Sequence, residues 1–302
     1  MNKRMPRILA IWGVLVLAWA LEPLPADSPL LTSEEIEAIN AAGMWQADPA
    51  LIEGKTLGSL HRSKPRDIST EHIPEYNWGE LLDYVTLPAS FDSRTQWPGC
   101  VHAIQNAGDC DGSWAIAAAD VLSDRICVQQ RTQVTLSPQY LIDCQSNADG
   151  CDGGTAIEAW TYLNLEGAPS SACIPFVADT ASCPTRCGNG SALSIYYAGA
   201  SSSYTSIQSM QAGISQSGPI EACFQMYSDF LSYKSGIYVK SSGSFVGVTC
   251  VKLIGWGSSN GTNYWIGAGS FGTSWGMSGF FYFKMGQTAL GLETSGIAAN
   301  PS

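Results

Sequence analysis

Residues 108–115 read Gly-Asp-Cys-Asp-Gly-Ser-Trp-Ala, and this stretch decides how the rest of the chain is interpreted. It opens an apolar run with helical spacing, which predicts one helix from Ser113 to Val128. The residues that recur at that spacing are Trp114, Ala117, Ala118, Val121 and Leu122. The predicted helix therefore starts at Ser113, whose hydroxyl becomes a nucleophile only where a neighbouring base takes its proton.

The composition is that of a folded, acidic protein. The 302 residues are 45% apolar and only 14% charged, which is typical of a globular chain with a full core. We expect one compact unit with an N-terminal extension, and we expect a monomer. The net charge of -11 disfavours nucleic acid as a partner, because nucleic-acid binding requires a basic face.

The first 26 residues have the pattern of a secretory signal peptide. A basic start precedes an apolar run from Ile8 to Leu21, and small residues follow near Ala26. A transmembrane anchor is the alternative, but the run is shorter than the roughly 20 residues that a span needs. We therefore predict a signal peptide over residues 1–26 and no membrane span in the mature protein. The predicted destination is the secretory pathway, either secretion or a lysosome-like vacuole.

Ten cysteines, an even number, follow this export signal and predict disulfides rather than free thiols. Zinc is the alternative, since Cys183 and Cys187 are close in sequence and Cys173 is near. Structural zinc sites, however, usually use paired cysteine knuckles or histidine, and His102 is the only histidine beyond residue 72. We expect neither a metal nor a cofactor.

The chain divides into a polar stretch, residues 27–86, and a longer domain that begins near Leu87. The polar stretch contains one helical signal, in which Thr32 or Ser33 caps the sequence Glu34–Ile39. Within the domain, two further helices are predicted, one after Ser137 and one over residues 155–166. After residue 200 or so, the sequence changes to short β-rich runs broken by glycine and serine. The clearest runs are Tyr233–Val239, Val246–Gly257, Asn263–Gly267 and Phe280–Lys284.

Three segments of the domain resemble the signature segments of papain-like cysteine peptidases, most closely their cathepsin B branch. Residues 108–115 resemble the family's Gln-Gly-x-Cys-Gly-Ser-Cys-Trp-Ala motif. Residues 246–257 resemble its Gly-Gly-His-Ala-Val…Gly-Trp-Gly segment, and residues 264–272 resemble Tyr-Trp-x-x-x-Asn-Ser-Trp-Gly. The resemblance extends over almost all of residues 87–302. It implies an α+β, two-lobed fold, with a helical N-terminal lobe, a β-barrel-like C-terminal lobe and a substrate cleft between them.

The resemblance also assigns a role to residues 27–86, which are similar to the short propeptide of cathepsin B-like enzymes. In that family this segment lies in the cleft and is removed on maturation. The side chains needed for catalysis, however, are replaced: the nucleophilic Cys falls on Ser113, the catalytic His on Thr249, the orienting Asn on Gly269 and the oxyanion-stabilising Gln on Ala107. A thiol peptidase needs a thiolate, a base and oxyanion donors, so we predict a pseudoprotease.

Features that would hold a peptide are retained. Residues 151–154 resemble the family's Cys-x-Gly-Gly turn, so Gly153 and Gly154 are candidate ligand contacts; a tight turn that needs positive φ explains them equally well. Cys223 and Cys250 fall on positions that line the family's S2 pocket. We hypothesise that they form a bridge that narrows this pocket, with two buried small apolar residues as the alternative.

The resemblance implies four further disulfides, and the sequence also contains two N-glycosylation motifs. The implied pairs are Cys100–Cys127, Cys110–Cys151, Cys144–Cys183 and Cys173–Cys187. Asn189-Gly-Ser and Asn260-Gly-Thr match the acceptor motif for N-glycosylation.

Three functions follow from these observations. The first is a pseudoprotease whose cleft binds a peptide, a propeptide or a cystatin-like inhibitor without cleaving it. The second is a working peptidase of the cathepsin B branch, which the missing catalytic side chains disfavour. The third is a disulfide-stapled extracellular scaffold, which a narrowed S2 pocket would favour.

Overall fold

The computed structural model describes residues 25–60, 68–70, 72–76 and 86–302. The first 24 residues, and with them nearly all of the predicted signal peptide, lie outside the described residues. We call residues 25–60, 68–70 and 72–76 the N-terminal segment, and residues 86–302 the main domain. The main domain forms a helical lobe and a sheet lobe, as the resemblance implies.

The described residues form six α-helices. They are α1 (Ser33–Ala42), α2 (Ser93–Gln96), α3 (Ser113–Gln130), α4 (Pro138–Cys144), α5 (Ala156–Leu165) and α6 (Ile207–Ser217). Capping explains where several begin. Thr32 and Glu35 form a reciprocal capping box at α1, and Thr155 and Glu158 form another at α5. Ser137 caps α4, whose first residue is proline.

Helix α6 was missed in the sequence, where this region was predicted to be β-rich. Its residues are mostly polar and small, so that the apolar stripe consists of only Ile207, Met210 and Ile214. The helix forms because Ser206 and Ser209 make a capping box, and because Gly213 lets the Tyr204 ring pack against the helix backbone. Tertiary packing, rather than a strong sequence pattern, stabilises this helix.

Within the described part of the chain, nine strands form one sheet, in the order β1-β5-β8-β7-β6-β4-β9-β3, with β2 paired to β6. The pairs are antiparallel except β5 with β8. The strands are β1 (Trp45–Ala47), β2 (Phe91–Asp92), β3 (Ser202–Tyr204), β4 (Ile220–Tyr227), β5 (Tyr233–Tyr238), β6 (Phe245–Ser259), β7 (Thr262–Ala268), β8 (Phe280–Lys284) and β9 (Gly296–Ala298). Strand β6 pairs with three others and carries the two positions of interest, Thr249 and Cys250.

The N-terminal segment is built into the core of the molecule. Strand β1 extends the sheet at β5, and the Trp45 indole donates a hydrogen bond to the carbonyl of Val239 at 3.0 Å. Gly236 allows this close approach, because a Cβ there would lie 2.7 Å from the carbonyl oxygen of Met44. Asp48 forms an ion pair with Lys234 at 3.2 Å. Leu30, Leu31, Ile39, Trp45 and Leu57 belong to the same buried cluster as the cores of the two lobes.

Candidate active-site cleft

The loop that precedes α3 is fixed on both sides, and this fixes the position of Ser113. The amide of Ala107 donates to the carbonyl of Ser270 at 2.8 Å, and the amide of Asp111 donates to the carbonyl of Cys151 at 2.9 Å. A disulfide joins Cys110 to Cys151. Ser113 is therefore presented at the first turn of α3 by a loop that is tied to the sheet lobe and to the helical lobe at once.

A cleft of about 500 Å³ lies at this end of α3. It brings together three of the four positions onto which the resemblance places catalytic side chains, Ala107, Ser113 and Thr249. Gly269 does not line the cleft, but its neighbours Ser270 and Phe271 do. The sequence analysis missed several other lining residues. These include Met226, Leu231, Val246, Val248 and Trp275.

The Ser113 hydroxyl is bound by main chain rather than by a base. Its oxygen accepts a hydrogen bond from the amide of Cys250 at 3.2 Å, and Ser113 and Thr249 are both buried. Neither histidine of the described chain lines this cleft. His72 lies in a separate surface pocket, and His102 pairs with Asp124, with 2.6 Å between Nδ1 and Oδ1.

His102 belongs to a buried charge network that joins the two lobes. Lys252 of β6 lies 2.8 Å from a carboxylate oxygen of Asp124 and 3.9 Å from one of Asp120, both on α3. Burial alone would lower the pKa of Lys252, but the two carboxylates outweigh it and raise that pKa. Burial also raises the pKa of Asp120, although Lys252 and a hydrogen bond from Gln105 oppose this rise. This network holds α3 against β6 below the cleft.

The position of Gly269 is too crowded for a larger side chain. A Cβ there would lie 2.8 Å from the Phe271 ring, and that ring packs on Trp275 with 4.7 Å between centroids. The Trp275 indole in turn donates to the carbonyl of Phe230 at 3.2 Å. An asparagine at residue 269 would therefore have to displace Phe271.

Gly153 and Gly154 both have a structural reason to be glycine. Gly153 has a φ of 111°, in the region that favours glycine, and its amide closes a turn onto the carbonyl of Gly150 at 3.2 Å. A Cβ at Gly154 would lie 2.5 Å from the Trp114 ring. Gly154 also lines a small pocket with Cys223 and Cys250, whereas Gly153 does not. The turn that needs positive φ therefore accounts for Gly153 alone, and contact with the Trp114 ring accounts for Gly154. The ligand interpretation of both glycines stays a prediction.

The small pocket beside Gly154 has a volume of only about 10 Å³. Cys223 and Cys250 are directly opposite each other on β4 and β6 and form a disulfide on its wall. Ser295 holds the Cys223 end, because its hydroxyl donates to the carbonyl of Cys223 at 2.6 Å and accepts from its amide at 2.9 Å. The hypothesised fifth bridge is present in the structure, and the pocket beside it is narrow.

Beneath this bridge lies a buried carboxyl group that the sequence analysis missed. Glu221 is fully buried, and one of its oxygens accepts a hydrogen bond from the Trp160 indole at 2.7 Å. The other oxygen is buried without a hydrogen-bond partner. Burial raises the pKa of Glu221 well above its ordinary value, against the hydrogen bond from Trp160. The only available signal was a glutamate two residues before a cysteine on one strand, where both side chains share a face.

The remaining cysteines form the four other implied pairs, and all ten are in disulfides. Glu221, Cys223 and Cys250 are close enough together to hold a metal ion. Both cysteines are oxidised, however, and a disulfide sulfur is a poor substitute for a thiolate ligand. Asn189 and Asn260 are both exposed, and Asn260 lies in the two-residue turn between β6 and β7.

The N-terminal segment covers both the cleft and the small pocket. Five of its residues line the cleft, namely Leu51, Gly54, Lys55, Ser59 and Leu60. Ile68, Ser69 and Thr70 line the small pocket. Thr70 is buried, and its hydroxyl lies 3.4 Å from the carbonyl oxygen of Thr294, which it can reach as a donor. Residues of the N-terminal segment therefore form part of the walls of both the cleft and the small pocket.

A helical lobe and a sheet lobe, with a cleft at the first turn of a buried helix, define a papain-like fold. The model of the papain family cysteine proteases matches residues 87–301, and the chain belongs to this family. Several relatives are named as cathepsin B or cathepsin B-like proteinases. Cathepsin B of Dictyostelium discoideum is 35% identical over 232 residues, which is 68% of this chain and 73% of the relative. Cathepsin B-like cysteine proteinase 4 of Caenorhabditis elegans is 34% identical over 254 residues, 72% of this chain and 76% of the relative.

Solved structures of proenzymes share the fold over both the N-terminal segment and the main domain. Procathepsin B S9 from Trypanosoma congolense matches with a TM-score of 0.84 and 32% identity, over 91% of this chain and all of that chain. A recombinant stem bromelain precursor matches with a TM-score of 0.74 over 88% of this chain and 87% of that chain, but at 23% identity it supports the fold alone. In the part of the chain that the structure describes, no helix is both long and apolar enough to cross a membrane.

Proposed function

We propose that this cathepsin B-like protein does not hydrolyse peptides and that its cleft binds peptide segments instead. One observation carries the proposal. The cleft brings Ser113 and Thr249 together, and the described residues that line it include neither a free thiol nor an imidazole. A serine hydroxyl without a base is not an effective nucleophile, since its proton has no acceptor.

The sizes of the expected losses support inactivity. Removing one oxyanion donor typically costs about 10²–10³ in rate, and Ala107 offers no donor beyond its main chain. Removing the nucleophile or its base costs orders of magnitude more. The amide of Cys250 already donates to the Ser113 oxygen, and Gly269 has no room for an orienting side chain. Asp111 adds a carboxylate at the mouth of the cleft, where an oxyanion would be disfavoured.

The natural occupant of the cleft is the chain's own propeptide-like segment, residues 27–86. Leu51, Ser59 and Leu60 line the cleft, and Trp45 anchors the segment to β5. The similar solved structure at 32% identity is named as a procathepsin B, which supports this role for the segment. Gly153, Gly154, Cys223 and Cys250 are the proposed contacts for an external peptide or a cystatin-like inhibitor once the segment is displaced. Export to the cell exterior or a lysosome-like compartment fits the disulfides and the signal-peptide pattern.

A structural scaffold is the second candidate function. The observation that favours it is the small size of the pocket beside Cys223 and Cys250, about 10 Å³, which leaves little space for a peptide side chain. In this case the fold would serve only as a disulfide-stapled surface for other contacts.

The deciding experiment uses the full chain with a protease site engineered within residues 77–85, so that the N-terminal segment is present during folding and can then be cut. Intact and cut protein are assayed with a broad fluorogenic peptide panel and, in parallel, for binding of a cystatin-type inhibitor. We expect no turnover in either form, and binding at micromolar concentration or tighter in the cut form alone. Turnover that disappears in Ser113→Ala would overturn the proposal, and the absence of both turnover and binding would favour the scaffold.

A further inference from the structure

The Cys223–Cys250 bridge differs from the other four disulfides in its surroundings. It lies in the wall of the small pocket at the end of the cleft, next to Gly154 and Val248. The main-chain amide of Cys250 donates to the hydroxyl of Ser113, so one residue of the bridge is hydrogen-bonded to the position that the family uses for its nucleophile. A disulfide is itself a reactive group, because a thiolate can attack either sulfur.

A buried acid accompanies this bridge. An oxygen of the Glu221 carboxyl and the two sulfurs of Cys223 and Cys250 all lie within 4.8 Å of one another. One Glu221 oxygen is bonded to the Trp160 indole, and the other has no hydrogen-bond partner. Among the described residues, no other disulfide has a carboxylate or a histidine grouped with both of its sulfurs in this way. An unpartnered carboxyl oxygen in a fully buried site is costly, which calls for an explanation beyond packing.

We propose that Cys223–Cys250 is a redox-active disulfide that exchanges with thiols of cysteine-containing peptides in the cleft, with Glu221 as the group that gives and takes the proton. The peptide thiolate attacks one sulfur of the bridge, a new S–S bond forms, and the Cys223–Cys250 bond breaks. The electron pair of that bond passes to the other cysteine sulfur, which leaves as a thiolate and takes the proton of the Glu221 carboxyl. A second peptide thiol gives its proton to the Glu221 carboxylate and attacks the peptide sulfur of the mixed disulfide, and the bond between that sulfur and the cysteine breaks. The electron pair passes to the cysteine sulfur, which takes this proton from Glu221. The bridge is thereby reduced to two thiols while the two peptide thiols are oxidised to a disulfide, and Glu221 regains from solvent the proton that the first peptide thiol released there.

The electrostatics of the site suit this role. Burial raises the pKa of Glu221 well above its ordinary value, so the carboxyl carries a proton at a pH where an exposed glutamate does not. On β6 the register partner of Glu221 is Lys252, which is paired with Asp124 and Asp120 of α3. Strand β9 presents Ile297 to Glu221, and α5 presents Trp160. Glu221 therefore forms no ion pair with Lys252, and its protonated carboxyl can donate to a leaving sulfur.

The N-terminal segment controls access to this disulfide. Ile68, Ser69 and Thr70 line the same pocket, and both cysteines are buried with the segment in place. Exchange with a peptide is therefore expected after the segment is displaced or cut. This activity rests on the proposed binding of peptides in the cleft, and it does not require the lost peptidase chemistry.

The experiment compares the five disulfides within one protein. The full chain with a protease site in residues 77–85, intact or cut, is exposed to reduced glutathione over a pH series, alkylated, and mapped by mass spectrometry. In the cut form, we expect Cys223–Cys250 to be reduced at least tenfold faster than Cys100–Cys127, and a single-cysteine hexapeptide to form a mixed disulfide with Cys223 or Cys250. The proposal is overturned if Cys223–Cys250 is reduced no faster than Cys100–Cys127, or if no mixed disulfide forms. Neither outcome requires a substitution at the bridge or at Glu221.

The role of Glu221 is tested with a matched pair of variants. In Glu221→Gln the side chain can still accept from Trp160, but it can no longer supply a proton. We expect at least a tenfold slower reduction of Cys223–Cys250 and the loss of the pH-rate inflection that Glu221 causes. Glu293→Gln is the control, because Glu293 is also buried and accepts from a tryptophan indole, that of Trp265 at 3.1 Å. An equal effect in both variants, or none in Glu221→Gln, assigns Glu221 a structural role only.

Discussion

The main-chain amide of Cys250 and the side-chain hydroxyl of Ser113 are joined by a hydrogen bond of 3.2 Å between β6 and the first turn of α3. The contact spans the cleft between the two lobes. It gives the buried amide of Cys250 a hydrogen-bond partner, and it occupies one lone pair of the Ser113 hydroxyl oxygen. Ser113 therefore has a structural task, which accounts for its burial without any catalytic role.

Restoring the nucleophile alone should not restore hydrolysis. We expect Ser113→Cys to remain at the background of a fluorogenic peptide assay, because no described imidazole lies in the cleft to activate a thiol. Adding Thr249→His should increase kcat/KM by about 10²–10⁴ over that single variant, the usual contribution of a general base. Thr249→His alone is the control and should stay at background. Substantial activity in Ser113→Cys by itself would contradict this account.

The N-terminal segment should contribute directly to the stability of the whole chain. Trp45 is buried against Tyr233 and Tyr238, and we expect Trp45→Ala to lower the free energy of unfolding by about 3–5 kcal/mol. Gln46→Ala is the matched control on the exposed face of β1 and should change it by less than about 0.5 kcal/mol. Denaturant titration of the uncut chain measures both. Equal effects would mean that the segment is not packed as described.

Breaking the charge network between the lobes should be costly. We expect Asp124→Asn to destabilise the fold by about 3–5 kcal/mol, since Lys252 would lose its partner at 2.8 Å and stay buried. Asp120→Asn should cost less, because Asp120 lies 3.9 Å from Lys252. The reverse order of the two variants in chemical denaturation would contradict the description of this network.

The same network predicts a pH dependence with a defined sign. The folded-state pKa of Asp120 is raised above its ordinary 3.8, so in the window above 3.8 the folded chain binds a proton that the unfolded chain does not. The contribution of Asp120 to stability therefore increases as the pH falls through its raised pKa. Unfolding free energies measured from about pH 7 to about pH 4 should rise less steeply with acid in Asp120→Asn than in the natural chain. Parallel curves would show that Asp120 is not protonated in the fold.

Gly154 should resist even a methyl group. A Cβ at this residue would meet the Trp114 ring at 2.5 Å, so we expect Gly154→Ala to cost about 1–3 kcal/mol through overpacking. Gly188→Ala is the control, because the nearest atom to a Cβ there is 3.8 Å away. Thermal unfolding separates the two variants. A stable Gly154→Ala protein would mean that Trp114 can move, and that the turn does not require this glycine.

Several features could be predicted from the sequence because they depend on near neighbours. The start of α3 at Ser113 follows from local spacing, and the caps of α1 and α5 follow from residues three positions apart. Helix α6 was not predicted although Ser206 and Ser209 form a capping box, because its apolar stripe is short and its burial against Tyr204 depends on tertiary packing. The lining residues Met226 and Leu231 were missed for a similar reason. Met226 is near the end of β4 and Leu231 lies in the helical turn that follows, so their positions at the cleft depend on how these elements pack in the folded chain.

The sequence by itself determined which chemical groups are available: a serine, a threonine and a glycine at residues 113, 249 and 269, and ten cysteines that can pair. Only the tertiary structure decided which of these groups meet. The register of β4 against β6 places Cys223 opposite Cys250, and the packing of α5 brings Trp160 onto Glu221 beneath them. The N-terminal segment reaches the cleft in the same way, through contacts with residues almost 200 positions away. Such contacts depend on chain path and packing, which no local pattern of residues encodes.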